Sequence, residues 1–337
     1  MEKSVAVENI PLSLIRPAAP CEAGTTPAVR LQGKVLLWNT PSTITMKLMP
    51  LILATLALSA AYGHAQEPPS DKTGSTSREI LLWENGAPGQ IEGAHKAWPG
   101  VGAGGVPLIS RIGIPSIVLH QPATSGANRK AVILCPGGAY QALASVDNGN
   151  GTLHPFLKDD FVVVVLKYRT VPNPKQAEID ALADAKRAVR LVRHHAKEWG
   201  IDPKQIGMAG WSAGGNLVLN LASQTDGGEA TAADPIDRKS CRPDFVAMLC
   251  PWPTGRPASA YPISAKSPPA FIASARDDKD APTRFAEGIA AMYAKAKVGH
   301  QLWVIEKGGH RAFSYDSTGE GAKWREKFVE WLQQISR

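Results

Sequence analysis

Gly210-Trp211-Ser212-Ala213-Gly214-Gly215 stands between a short apolar run, Ile206-Gly207-Met208-Ala209, and a helix-like run from Asn216 to Ala222. Gly-x-Ser-x-Gly at a strand-to-helix junction is the nucleophile-elbow pattern. The turn is so tight that the positions two before and two after the serine tolerate little larger than glycine. It lifts the Ser212 hydroxyl above the sheet edge. The helix start beneath it offers free N–H groups and a positive dipole end to a developing anion. An ordinary glycine-rich turn with an N-cap serine has the same composition, so the flanking chain has to decide between the two.

Those flanks alternate strand with helix. Ser116 to His120 and Ala131 to Cys135 are short apolar runs bounded by turn residues. Phe161 to Leu166 is apolar at every position, as a strand buried on both faces must be. Between Gln176 and Trp199 apolar residues recur every three to four positions (Ile179, Leu182, Ala185, Val189, Val192), and Gly200 ends that helix. Lys186, Arg187, Arg190 and Arg193 take its other side and read as a solvated face. Further strands are expected at Gln205 to Ala209, Phe245 to Cys250, Ala270 to Ala275 and Gln301 to Ile305, with helices at about 213–224, 283–297 and 321–335. The thirty residues after Gly89, rich in Gly and Pro, read as loop. This order predicts a mainly parallel α/β sheet with helices on both faces.

A serine hydroxyl is a poor nucleophile until a base takes its proton and a third group orients that base. On such a sheet the partners follow in the order serine, acid, histidine, each on a loop after a strand. His300 directly precedes a strand. His310 follows that strand in the glycine-rich loop Lys307-Gly308-Gly309-His310, and is the expected base. The acid falls in Arg276-Asp277-Asp278-Lys279-Asp280, after the strand ending at Ala275, where three carboxylates compete. Ahead of the serine, Cys135-Pro136-Gly137-Gly138-Ala139-Tyr140 leaves a buried strand where an oxyanion hole needs backbone N–H groups.

With 337 residues, 44% hydrophobic and 20% charged, the chain has ample length for a buried core. The formal charge of +7 is scattered, without a Lys/Arg block, so no nucleic-acid partner is expected. Met46 to Ala65 has the make-up of a secretory signal peptide. Lys47 precedes the apolar run Leu51 to Leu58, and Gly63-His64-Ala65 offers a small-residue cleavage site before Gln66. The expectation is export to the periplasm or medium, with no membrane span left after cleavage. Residues 1–45 match no part of such a signal, which suggests either an over-extended reading frame or a long leader. Residues 66–78 read as a linker and 79–337 as the catalytic domain. Cys241 and Cys250, ends of an extended run, would lie roughly 30 Å apart, so no disulfide is expected.

The chain resembles the α/β-hydrolase esterases of the bacterial acetyl-xylan/feruloyl esterase-like group, near the hormone-sensitive-lipase-like enzymes. The resemblance rests on Leu82-Trp83-Glu84-Asn85-Gly86-Ala87-Pro88-Gly89, Cys135 to Tyr140, Leu166-Lys167-Tyr168-Arg169, Gly210 to Gly215, Ile236 to Phe245 and Gly308-Gly309-His310. It implies an eight-stranded α/β-hydrolase sheet with little or no lid. It also implies that Asp278 is the acid, through Asp278-Lys279-Asp280-Ala281-Pro282 matching Asp-x-x-Val-Pro, with Ala281 in place of the usual valine. Oxyanion donors carry over to Gly138, Ala139 and Ala213, with Ala139 standing where the family has a third glycine. No metal or other cofactor is implied. Tyr140 and Trp252, just after strand ends, and Trp211, beside the serine, are expected to form a shallow slot for a short acyl group or a platform for a sugar ring. The expected activity is a carboxylic-ester hydrolase acting on short acyl groups of carbohydrate. A general carboxylesterase, a prolyl-oligopeptidase-like peptidase and a non-catalytic binding module are the alternatives. Oligomeric state is not legible in the sequence.

Overall fold

The computed structural model describes residues 76–91, 98–101, 107–124, 126–144, 153–170, 174–314 and 317–335. The proposed leader, signal segment and residues 66–75 of the linker lie outside them. Eleven strands run in chain order: β1 (Thr76–Leu81), β2 (Trp98–Val101), β3 (Pro107–Ser110), β4 (Ser116–Gln121), β5 (Arg129–Cys135), β6 (Ala142–Ala144), β7 (Val162–Lys167), β8 (Ile201–Trp211), β9 (Phe245–Leu249), β10 (Ala270–Ala275) and β11 (His300–Ile305). Five α-helices accompany them: α1 (Leu153–Lys158), α2 (Pro174–His194), α3 (Ala213–Ser223), α4 (Thr283–Lys295) and α5 (Trp324–Ile335).

Eight strands form one sheet in the order β1-β4-β7-β5-β8-β9-β10-β11. β4 runs antiparallel to β1 and β7, and every pairing from β7 to β11 is parallel. Alternation along each central strand feeds two separate cores. Val162, Val164, Ile133 and Met208 face one side with α2, α3 and α4. Val163, Val165, Leu134 and Ala209 face the other, against α1 and α5. The fully apolar run expected to be buried on both faces is β7, at the heart of the sheet.

Four local readings needed correction. The segment expected to be loop contains β2 and β3, which join β6 in a small antiparallel sheet; their strands of three and four residues are too short to show a period. β1 begins at Thr76, inside the expected linker. On α2, Ile179 is exposed while Ala177, Ala181 and Ala188 are fully buried, so the buried face is shifted from the expected stripe and lined largely with small residues. Arg187, assigned to the solvated face, is also buried. It donates to Asp234 and Asp237 of the long loop before β9, whose Asp226 and Asp244 receive Arg190 and Arg193. Cys135, Cys241 and Cys250 are buried free thiols.

Candidate active site

Sheet order concentrates the candidate residues. In parallel strands the following loops all emerge at one edge. β5 and β8 are neighbours, so the Pro-Gly-Gly loop and the serine turn emerge side by side. β9, β10 and β11 then deliver Trp252, Asp278 and His310 in turn.

Ser212 has φ 58° and ψ −121°, the left-handed backbone expected of the elbow. Its N–H donates to the carbonyl of Leu249, and its own carbonyl accepts from Asn216 and Trp252. Gly214 explains the packing: a Cβ there would lie 2.0 Å from the Cys135 carbonyl oxygen and 2.7 Å from that of Pro136. The start of α3 therefore sits directly on the end of β5, bringing Ala213 beside the oxyanion loop.

Ser212, His310 and Asp278, far apart in sequence, meet in a hydrogen-bonded line. His310 Nε2 lies 2.7 Å from Ser212 Oγ, and His310 Nδ1 lies 2.8 Å from Asp278 Oδ2. The Asp278 side chain is fully buried, whereas His310 is partly open to solvent. The other Asp278 oxygen accepts the N–H groups of Asp280 and Ala281 at 2.9 Å each. Burial pushes this carboxyl up, but hydrogen bonds from His310, the Ala281 N–H and the Cys250 thiol outweigh it and hold the group below its ordinary value. Burial and the adjacent Asp278 push Cys250 well up, so it stays a thiol and can donate. His300 begins β11, away from this line, and faces the Val298 carbonyl.

Asp277, the acid's neighbour, has its own task. Its two oxygens accept the backbone N–H groups of Gly309 at 2.8 Å and Gly308 at 3.1 Å, which pins the loop carrying His310. Those two bonds hold its carboxyl below the usual value. Nothing in the sequence separated it from Asp280.

The oxyanion loop is a tight turn. Gly138 accepts from the N–H groups of Gln141 and Ala142, and its successors Ala139 and Tyr140 have φ 54° and 59°. Two consecutive left-handed residues define a type I′ turn, which asks for Asn-Gly rather than Ala-Tyr. Each such residue carries roughly 1–3 kcal/mol of strain, which the surroundings must offset. Gly138 itself, at φ 138°, has no room for a side chain: a Cβ would lie 2.0 Å from the Ala142 carbonyl oxygen.

The three aromatic candidates are placed differently from one another. Tyr140 is 1% exposed, its hydroxyl bonded to Asn216 at 2.9 Å, so it is core and cannot meet a substrate. Trp211 is partly buried; its indole N–H donates to the His310 carbonyl and its ring lies where a Gly137 side chain would be. Trp252 is partly buried against the core at the start of the loop after β9. Burial thus removes Tyr140 from the expected slot of three aromatics, while Trp211 and Trp252 both keep partly exposed rings; position after a strand end does not tell which way a ring points.

Among the described residues, one donor set is close enough to hold a metal: Cys250, Asp278 and His310, with ligand atoms within 4.8 Å of one another. A metal would need Cys250 as thiolate, which its burial opposes, and would break the Asp278–His310 bond. These residues suit proton transfer better than metal binding. Between β9 and β10 the chain forms a short 3₁₀ turn, Ala258–Ala260, and no α-helix. No helix among the described residues is long and apolar enough to cross a membrane.

The chain is similar to several known proteins. The BD-FAE family model matches residues 117–240. An acetylxylan esterase of Xylanibacter ruminicola is 24% identical over 239 residues, covering 61% of this chain and 46% of that one. Endo-1,4-beta-xylanase B of Butyrivibrio fibrisolvens is 27% identical over 210 residues, covering 54% and 32% respectively. This chain thus spans less than half the length of either. The solved acetyl ester-xyloside bifunctional hydrolase of Caldicellulosiruptor lactoaceticus is 27% identical, with TM-score 0.63, over 77% of this chain and 96% of that one. Sheet, elbow and likenesses converge: the chain has the α/β-hydrolase fold and is similar to acetylxylan esterases and their structural relatives.

Proposed function

We propose that this protein is a serine esterase that removes short acyl groups, acetyl foremost, from carbohydrate. The observation that carries the reading is the line Ser212–His310–Asp278, with contacts of 2.7 and 2.8 Å, at the mouth of a nucleophile elbow. In this reaction His310 Nε2 takes the Ser212 proton as Oγ attacks the ester carbonyl. The oxyanion lies against the N–H of Ala213 and those of the Gly138-Ala139 turn, each worth about 3–4 kcal/mol in such a hole. Asp278 stabilises the imidazolium, which then gives its proton to the departing alcohol. Water, activated by the same histidine, releases the acid from the acyl-enzyme and restores Ser212.

The substrate class rests on two supports. The three relatives named above carry xylan or xyloside in their names, and two carry acetyl. The segment from β9 to β10 has no α-helix to cover the serine, as befits a polymeric, water-soluble substrate. The signal-like segment at 46–65 supports export, where such polymers are met. Acetate release from acetylated xylan, measured beside hydrolysis of p-nitrophenyl acetate, butyrate and octanoate, tests the reading. Acetate release with a fall in kcat/KM from acetate to octanoate is the result expected. Preference for octanoate with no acetate release would contradict the carbohydrate assignment.

A further inference from the structure

The strained turn after Gly138 is held from one side by a chain of side-chain hydrogen bonds. Tyr140 donates to Asn216 Oδ1 at 2.9 Å, and Asn216 Nδ2 donates to the Tyr261 hydroxyl at 2.7 Å. The Tyr261 hydroxyl and Thr254 Oγ1 share a further hydrogen bond at 3.3 Å. Arg256 closes the outer end, bonding Thr254 Oγ1 at 3.3 Å and Glu178 at 2.6 Å, with its guanidinium 4.7 Å from the Tyr261 ring centre. Tyr140, Asn216 and Tyr261 are each at most 1% exposed.

The chain joins the parts that an ester's transition state must find in register. Tyr140 is the second left-handed residue of the turn after Gly138. Asn216 lies one helical turn beyond Ser212 on α3. Tyr261 and Thr254 belong to the loop that begins with Trp252, whose N–H is bonded to the Ser212 carbonyl. Local preference opposes an Ala-Tyr pair in a type I′ turn, so a bond from Tyr140 to the nucleophile's own helix is what keeps the two halves of the hole at a fixed separation. Hydrogen bonds linked in one buried chain strengthen one another.

We propose that Tyr140, Asn216, Tyr261 and Thr254, anchored by Glu178, are positioning residues that set the spacing of the oxyanion hole. The proposal rests on the esterase reading above. None of the four touches the substrate; they act through the Gly138-Ala139 backbone and α3.

The test is Tyr140→Phe and Tyr261→Phe in the full chain, each removing one hydroxyl, with Tyr293→Phe, a buried hydroxyl on α4 outside the chain, as control. With p-nitrophenyl acetate, Tyr140→Phe should lower kcat about ten- to a hundredfold with KM nearly unchanged, the penalty of a misplaced catalytic group. Affinity for a boronic-acid mimic of the tetrahedral intermediate should fall by the same factor. Tyr261→Phe should show the same split, smaller. The double variant should cost little more than Tyr140→Phe alone, since both break one chain. Unchanged kcat and boronate affinity in folded Tyr140→Phe and Tyr261→Phe, whatever their Tm, would overturn the proposal alone. An unmodified chain that turns over no p-nitrophenyl ester would overturn the esterase reading and take the proposal with it.

Discussion

Trp211 donates its indole N–H to the backbone carbonyl of His310 across 2.9 Å. The residue before Ser212 thereby holds the loop that carries His310, and the two rings lie 5.3 Å apart, tilted by 37°. Sequence neighbourhood suggested a substrate wall; the bond shows a brace. Trp211→Phe keeps most of the packing and removes the donor. It should lower kcat about fivefold, the worth of one neutral hydrogen bond of about 1 kcal/mol, and leave the acyl-length preference unchanged. A changed preference across p-nitrophenyl acetate, butyrate and octanoate would show that the ring lines the slot after all.

Asp277 pins the same loop from the other side. An asparagine can accept one of its two backbone N–H groups but presents a donor to the other. Asp277→Asn should therefore lower kcat about three- to tenfold, more than Asp280→Asn, whose carboxylate holds no part of the loop. Equal effects from the two variants, in steady-state kinetics, would refute the clamp.

The order of strands and helices was legible because the central strands β5, β7, β9 and β10 are short apolar blocks between turn residues, and the elbow's glycines fix where β8 hands over to α3. His310 was legible as the downstream histidine placed after a strand. Asp278 was selected among three carboxylates through a family resemblance alone. Asn216, Tyr261, Cys250 and the task of Asp277 were not legible. Their parts depend on partners 28 to 76 positions away, and no local pattern encodes such a pairing. Tyr140 misled for the same reason, since a tyrosine beside a glycine loop reads alike whether its hydroxyl meets solvent or Asn216.

Asp278 links the site to acid stability. Its folded value lies below its ordinary 3.8, so its contribution is complete above that pH and is lost as pH falls through the folded value. Asp278→Asn should flatten the decline of Tm below about pH 4 while costing about 10⁴-fold in kcat at pH 7, as the misoriented imidazole of such variants does. Thermal scans from pH 2 to 7 check this; an unaltered acid limb would show that other carboxylates govern it.

Tyr293 on α4 is fully buried and its hydroxyl has no hydrogen-bond partner. Removing an unsatisfied buried group relieves its desolvation, worth about 1 kcal/mol or more. Tyr293→Phe should raise Tm by about 2–4 °C with kcat/KM intact. A lower Tm would mean that the hydroxyl is bonded in solution.

The central claim is that Ser212 is the nucleophile and depends on His310. Its most direct test is labelling of the folded protein with a fluorophosphonate, followed by mass spectrometry of the tryptic peptides. The account predicts one adduct per chain, on Ser212, absent from Ser212→Ala and slowed by orders of magnitude in His310→Ala. Labelling of another residue, or none on a folded chain, would contradict it.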